Sequence, residues 1–319
     1  MKIFVPRYRH TAPSTNGRIL DEMFLEINEL DLPDVIKSWS ALDQLQNVTP
    51  KAFFSTGAKD ICTYPTSKNT LEPFLRRPHI TLHCGAKEGS SETGPLAKEI
   101  MYESGAIVAR YGFNLWYGGG DTGLMGAAHK GFTDALQKHR YPDQYSVQIC
   151  PAPFVYGVAS TNGLRPANEG LSQDSDVAIV MPDFVTRREL LSSRCAGALS
   201  GIGGIGTIDE ITDILVHIKT GLRPTNIYIL NPFVPELNRG YWDPFRELID
   251  GFIKTQFEKP STLNHVNFMP SPADAMQHLM EKLDAAGQNP HTVYQEYCRE
   301  MGITPPPTQI HTELRAAHG

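Results

Sequence analysis

Between Gly197 and Leu215 the chain reads GALSGIGGIGTIDEITDIL, with five glycines in its first ten residues and an amphipathic helical pattern directly after them. Each glycine weakens regular structure by roughly 0.5–1 kcal/mol relative to alanine. Such density calls for positive φ angles, a close helix–strand contact, or a ligand pressed against the main chain. A turn through Gly203, Gly204, Ile205 and Gly206 can aim backbone N–H groups inward, and Thr207 falls at the start of the following helix. Free N–H groups and the macrodipole at such a start favour a phosphate. Glu210 stands three residues after Thr207 and completes T-x-x-E. That spacing is the signature of a capping box, in which the glutamate bonds back to the threonine N–H. A carboxylate beside a phosphate is otherwise repelled, so Glu210 also hints at a second task.

Two further glycine loops follow apolar runs: HCGAKEGSSETGP, with Gly85 at its head, and YGGGDTGLMG. The second contains Gly118-Gly119-Gly120-Asp121-Thr122-Gly123, which matches G-x-G-x-x-G. A dinucleotide fingerprint sits in the first βα turn and is followed by an acid at the end of the next strand. Here the glycines follow the second strand of the regular region, and the next run, YSVQIC, ends in cysteine and proline. A nicotinamide-dependent dehydrogenase fits poorly. Asp121, an acid among glycines, can contact ribose hydroxyls or cap the helix at Leu124. No G-x-S-x-G elbow or H-E-x-x-H pair occurs, and the 11 histidines do not cluster at ligand spacing.

These loops need elements to hold them. From His79 onward short apolar runs alternate with helical periodicities at 95–111, 124–139, 186–195, 208–220, 244–257 and 272–285. Alternation of this kind builds right-handed βαβ units and a parallel sheet covered on both faces. The expected architecture is α/β, a Rossmann-like three-layer α/β/α arrangement, with ligands at the carboxyl ends of the strands. Residues 1–78 read as an N-terminal extension packed on the main domain, mostly irregular or helical, with one or two short amphipathic helices between residues 20 and 45. Residues 79–286 read as the Rossmann-like domain that carries the glycine loops, and 287–319 as a tail whose TPPPTQ cannot continue a helix.

Bulk properties exclude several classes. Hydrophobic residues make up 40% of the chain and charged ones 20%, ordinary values for a soluble domain. A net charge of −6 offers no basic surface for nucleic acid or an anionic membrane. The five cysteines are scattered, without a CxxC pair, which argues against a disulfide framework or a zinc site. No long apolar segment is present, and a reducing cytoplasm is the expected location.

At the level of motifs, GGIGTIDE resembles the PGGxGTxxE signature of the LOG family, phosphoribohydrolases long misnamed lysine decarboxylases. YGGGDTGLMGAAHKG resembles that family's YGGGxxGLMG segment, and HCGAKEGS stands where its first loop, often CGSS, belongs. The resemblance runs from about Ile80 to Ala285. It implies a Rossmann-like homodimer that cleaves the N-glycosidic bond of nucleoside 5′-monophosphates, cytokinin-type N6-modified AMPs among them, with no metal or organic cofactor. The motif glutamate falls on Glu210 and the motif threonine on Thr207. The family's key arginine falls on Arg187 when counted back from Gly203, or on Arg188 when anchored on the RCA at Arg194. Such a carboxylate can stabilise an oxocarbenium-like state and orient water, and the arginine gives a fixed fork for phosphate or the leaving base. Two adjacent arginines at a helix N-terminus conflict with its dipole, which a bound anion would relieve. One departure stands out: Ile202 replaces the motif proline. A nucleotide-binding sensor of the same fold is the alternative.

Overall fold

HITLH, apolar and β-branched at alternate positions, forms strand β3 (His79–His83), and every residue in it is buried. It pairs in parallel with β4 (Asn114–Tyr117) on one side and β9 (Gly197–Ser200) on the other. Beyond β4 come β5 (Ser146–Pro151), β8 (Val177–Met181) and β1 (Lys2–Pro6); beyond β9 come β10 (Ile227–Leu230) and β13 (Val266–Met269). The edge strand β2 (Phe24–Ile27) runs antiparallel to β1. The nine strands lie in the order β13-β10-β9-β3-β4-β5-β8-β1-β2, parallel except for that edge. Two antiparallel ribbons stand outside this sheet: β6 (Val158–Ser160) with β7 (Gly163–Arg165), and β11 (Phe233–Val234) with β12 (Arg239–Gly240). The computed structural model describes residues 1–6, 24–27, 74, 77–138, 140–141, 143–151, 158–160, 163–165, 171–192, 195–220, 226–287, 289–300, 302 and 304.

Helices cover both faces. On one side α1 (Thr93–Arg110), α2 (Gly123–Lys138) and, later in the chain, α6 (Pro272–Ala285) pack on Ile80, Leu82, Leu115, Tyr117, Leu199 and Tyr228. On the other, α3 (Phe184–Ser192) packs with Trp116, Val147, Ile149 and Ile179, while α4 (Ile205–Lys219) packs with Ala198, Ile227 and Ile229. The strand pleat sorts neighbours to opposite layers: Leu115 and Tyr117 face α1 and α2, and Trp116 between them faces α3. The α/β three-layer reading holds. Helices α5 (Asp243–Lys254) and α7 (Pro290–Glu300) complete the set among the described residues.

One expectation is corrected. The segment FLEI, read within a helical stretch, is strand β2. A short apolar run cannot be assigned by periodicity alone, and the open edge of β1 supplies the hydrogen-bonding partner that decides it. The expected helices after residue 27, the Arg194 anchor and the TPPPTQ of the tail lie outside the described residues, apart from Thr304 itself.

The chain runs outward from β3 through β4, β5 and β8, then returns with β9 on the other side of β3. This reversal opens a crevice at the carboxyl ends of the strands. The three glycine loops follow β3, β4 and β9, so all of them empty into it.

Helices α1 and α2 approach one another through glycines. A Cβ at residue 105 would lie 1.8 Å from the Ala128 carbonyl oxygen, and one at residue 131 would lie 1.8 Å from that of Tyr102. Helix propensity alone favours Gly105→Ala by about 1 kcal/mol. Overpacking against main chain outweighs it, and the expected net result is a loss of about 1–3 kcal/mol, read as a lower urea midpoint at unchanged m-value. An alanine variant as stable as the parent would contradict this packing.

Candidate functional site

Helix α3 starts on an aspartate. The Asp183 carboxylate accepts from the Thr186 N–H at 2.8 Å and from the Thr186 hydroxyl at 3.0 Å. This cap points Arg187 at the sheet. Its Nε donates to the Ile149 carbonyl at 3.1 Å, and its Nη1 donates to Glu210 Oε1 at 2.9 Å. The two side chains are only 11% and 12% exposed. Arg188 takes the outer side and pairs with Asp209. Of the two arginines carried from the sequence, Arg187 is the one brought to Glu210, and Arg188 is not. The expected conflict of adjacent arginines with the helix dipole is also resolved within the protein, by the Asp183 cap and one carboxylate for each guanidinium.

The loop after β9 departs from expectation in two ways. Helix α4 begins at Ile205 with Gly204 as N-cap, and no side chain caps it. Thr207 is therefore inside the first turn and buried, and Glu210 reaches across to α3 instead of back to Thr207. The T-x-x-E spacing does not act as a capping box, because glycine starts the helix three residues earlier. Nor do Gly203, Gly204 and Gly206 have positive φ. A Cβ at Gly204 or Gly206 would meet nothing within 4 Å. What these two glycines leave is bare main chain facing solvent, beside Ile205, which is 81% exposed. The N–H groups of Ile205, Gly206 and Thr207 have no intrahelical acceptor by geometry.

Positive φ occurs in the loop after β4, at Gly119 (+90°), Gly120 (+87°) and Gly123 (+62°), and in the loop after β3 at Gly89 (+92°). Gly118 is required for a different reason: a Cβ there would lie 2.2 Å from Arg187 Nη2. Gly85 joins the first loop to the third by donating its N–H to the Ile202 carbonyl at 3.0 Å. Ile202, in place of the motif proline, is buried in the core under α1. Asp121 is exposed and makes no hydrogen bond among the described residues, so it does not cap α2.

Sequence reasoning missed His83 and Ser200. They are register partners on β3 and β9, fully buried on the α3/α4 side, and neither His83 Nδ1 nor Ser200 Oγ has a hydrogen-bond partner among the described residues. Burial holds the imidazole below its usual pKa; Glu210 pulls it up, Arg187 pushes it down and Asp213 pulls it up, in falling order of strength. The signal was available in HITLHC, where His79, Thr81 and His83 place polar groups at every second position of a strand otherwise built for the core.

The reversed strand order, the three convergent glycine loops and the enclosed Arg187–Glu210 pair define a Rossmann-like α/β protein with a polar site at its topological switch point. Residues 125–279 match the family described as "Possible lysine decarboxylase". The cytokinin riboside 5′-monophosphate phosphoribohydrolase of Mycobacterium tuberculosis is 24% identical over 62% of this chain and 91% of its own length. The protein of the same name from Rhodococcoides fascians is 26% identical over 59% of this chain and 81% of its own. Among solved structures, the molybdenum cofactor binding protein of Rippkaea orientalis aligns with a TM-score of 0.43 at 18% identity, covering 66% of this chain and 99% of that one. The LOG-type resemblance carried by the two glycine motifs is thus borne out. Among the described residues no helix is long and apolar enough to cross a membrane.

Neutral His83 gives the fold a pH dependence. His129, buried against Ser146 and Ser172, is likewise held below the usual value, mainly by burial against the opposing pull of Asp121, Asp174 and Asp176. The unfolded chain takes up protons near pH 6.5, whereas these two sites do so only at lower pH. Stability is therefore full above about pH 6.5 and declines as pH falls through the folded pKa values. Urea midpoints at pH 7.5 and 5.5 should show the decline, and His83→Gln should make it shallower. An identical slope in the variant would remove His83 from this account.

Proposed function

We propose that the protein hydrolyses the N-glycosidic bond of nucleoside 5′-monophosphates of the purine type, AMP or an N6-modified AMP, releasing the free base and ribose 5-phosphate. The observation that carries this reading is the Arg187–Glu210 pair, enclosed between the loops that follow β4 and β9. The names of the curated relatives point to the same chemistry.

In this reading the 5′-phosphate sits on the bare N–H groups of the first turn of α4, from Gly204 to Thr207, with the Gly118–Gly120 loop opposite. Fixed N–H donors and the helix dipole favour the anion there. The ribose then lies toward Glu210, and Asp121 is free to meet its hydroxyls. As the C1′–N bond breaks, its electron pair leaves with the base and positive charge grows on the sugar; the Glu210 carboxylate opposes that charge and takes a proton from the water that bonds to C1′, and that proton passes to the departing base. Arg187, anchored by the Ile149 carbonyl, keeps the carboxylate in place. No metal or organic cofactor enters this scheme. The partner is the small-molecule nucleotide.

A homodimer belongs to the same proposal. Val216 on α4 and Leu248 and Phe252 on α5 leave apolar side chains in solvent. A second copy packed on α4 and its neighbours would cover them.

Glu210→Gln keeps a hydrogen-bond acceptor for Arg187 and removes the charge. Base release from AMP, followed by chromatography, should fall at least about a hundredfold, with the fold retained by circular dichroism. Full activity in this variant would end the catalytic assignment, and binding without base release in the parent would leave a nucleotide-binding protein. Adenosine should be a far poorer substrate than AMP, and equal turnover of the two would contradict the phosphate site. Sedimentation at micromolar concentration should show a dimer; monomer alone would refute that part of the proposal.

A further inference from the structure

The segment between β10 and α5, residues 231–242, has no place in the chemistry above, yet it touches two of the three loops at the crevice. It is closed on itself first. Asn231 Oδ1 accepts from the Trp242 N–H at 2.6 Å, Asn231 Nδ2 donates to Asp243 Oδ1 at 2.8 Å, and Asp243 Oδ2 accepts from the Gly240 N–H at 2.8 Å. The Tyr241 N–H donates to the Pro232 carbonyl at 3.0 Å. From this closed turn three side chains reach outward. Tyr241 Oη donates to the Gly203 carbonyl at 2.6 Å, and Trp242 Nε1 donates to the Gly201 carbonyl at 3.2 Å. On the far side Glu236 Oε2 accepts from the Ser90 hydroxyl at 2.7 Å and from the Thr93 hydroxyl at 2.6 Å.

The Tyr241 contact has a geometric consequence. In a trans peptide the C=O and N–H point to opposite sides, and no cis bond occurs among the described residues. With the Gly203 carbonyl turned to Tyr241, the N–H of Gly204 in the same peptide unit points away from it. The Gly204 side of that plane is unpacked: a Cβ there would meet nothing within 4 Å, whereas one at Gly203 would lie 2.1 Å from Thr207 Oγ1. If the plane flipped, a carbonyl oxygen would face any anion seated on the α4 terminus.

We propose that Tyr241 is a positioning residue for the anionic group of the substrate, its hydroxyl locking the Gly203–Gly204 peptide so that an N–H and not a carbonyl oxygen is presented to phosphate. The inference rests on the functional reading given above. Glu236 extends the same brace to the loop after β3, so one closed turn holds both rims of the crevice.

The test is Tyr241→Phe, which removes one oxygen and keeps the ring. Ribose 5-phosphate and AMP are titrated into the full-length protein by calorimetry, and AMP turnover is followed by base release. The expected result is roughly five- to tenfold weaker binding of ribose 5-phosphate, about the worth of one hydrogen bond. KM for AMP should rise by the same factor while kcat stays within about twofold. Loss of folded protein would lower kcat instead. Tyr102→Phe, which also deletes a hydroxyl bond, to Asp134 on the exposed side of α1 and α2, should leave ribose 5-phosphate binding unchanged. Unaltered ribose 5-phosphate affinity in Tyr241→Phe overturns the inference while leaving the functional reading in place. A parent protein that binds neither ligand overturns the functional reading, and this inference with it.

Discussion

The guanidinium of Arg187 occupies the space in which a side chain at residue 118 would stand, and the rest of the site is arranged around that fact. It demands a glycine just after β4, the Ile149 carbonyl of β5 and a carboxylate on α4, each from a different element. A charge taken this far from water is stable only when its donors are satisfied, and removing one partner of a buried pair costs about 3–5 kcal/mol. The pair therefore ties α3 to α4 as well as facing the crevice. Chemistry and architecture share the same contact.

Around it the electrostatics are nearly self-contained. Asp183 caps α3, Glu210 answers Arg187, and Asp209 answers Arg188. The exception is the first turn of α4, which begins on an uncapped glycine and faces solvent with bare main chain. A helix dipole left open in an otherwise compensated neighbourhood favours negative charge from outside the chain. Beneath it lie His83 and Ser200, register partners whose Nδ1 and Oγ have no hydrogen-bond partner among the described residues. Such groups are costly in isolation, and their place directly under the crevice is where a polar ligand or water would meet them.

The two glycine-rich loops solve different problems with the same residue. After β4 the backbone is left-handed at Gly119 and Gly120 and crowded at Gly118, so the sequence YGGG answers steric demands within the protein. In the loop after β9 no glycine has positive φ; Gly201 and Gly203 are crowded by Met101 and Thr207, but the space beside Gly204 and Gly206 is empty. Those last two glycines keep a surface clear. Orientation of that surface comes from Tyr241 and Trp242, side chains some forty positions downstream that hold its carbonyls.

The alternation of apolar runs and helical periods from His79 onward was enough to determine a parallel sheet with helices on both faces, since only that arrangement buries both sides of such strands. The spacing of GGIGTIDE and YGGGDTG likewise placed Glu210, Gly118 and the exposed helix start on strand ends that meet. Four matters were settled only by tertiary structure. Arg187 and Arg188 are adjacent and chemically alike, and the choice between them depends on which side of α3 faces β5. Whether Glu210 capped its own helix or crossed to another depended on where α4 began. FLEI became a strand because the edge of β1 lacked a neighbour. His83 met Ser200 because β9 returns to the far side of β3. Each of these turns on a contact between residues distant in the chain, and local propensity carries no information about which distant partner a side chain will find.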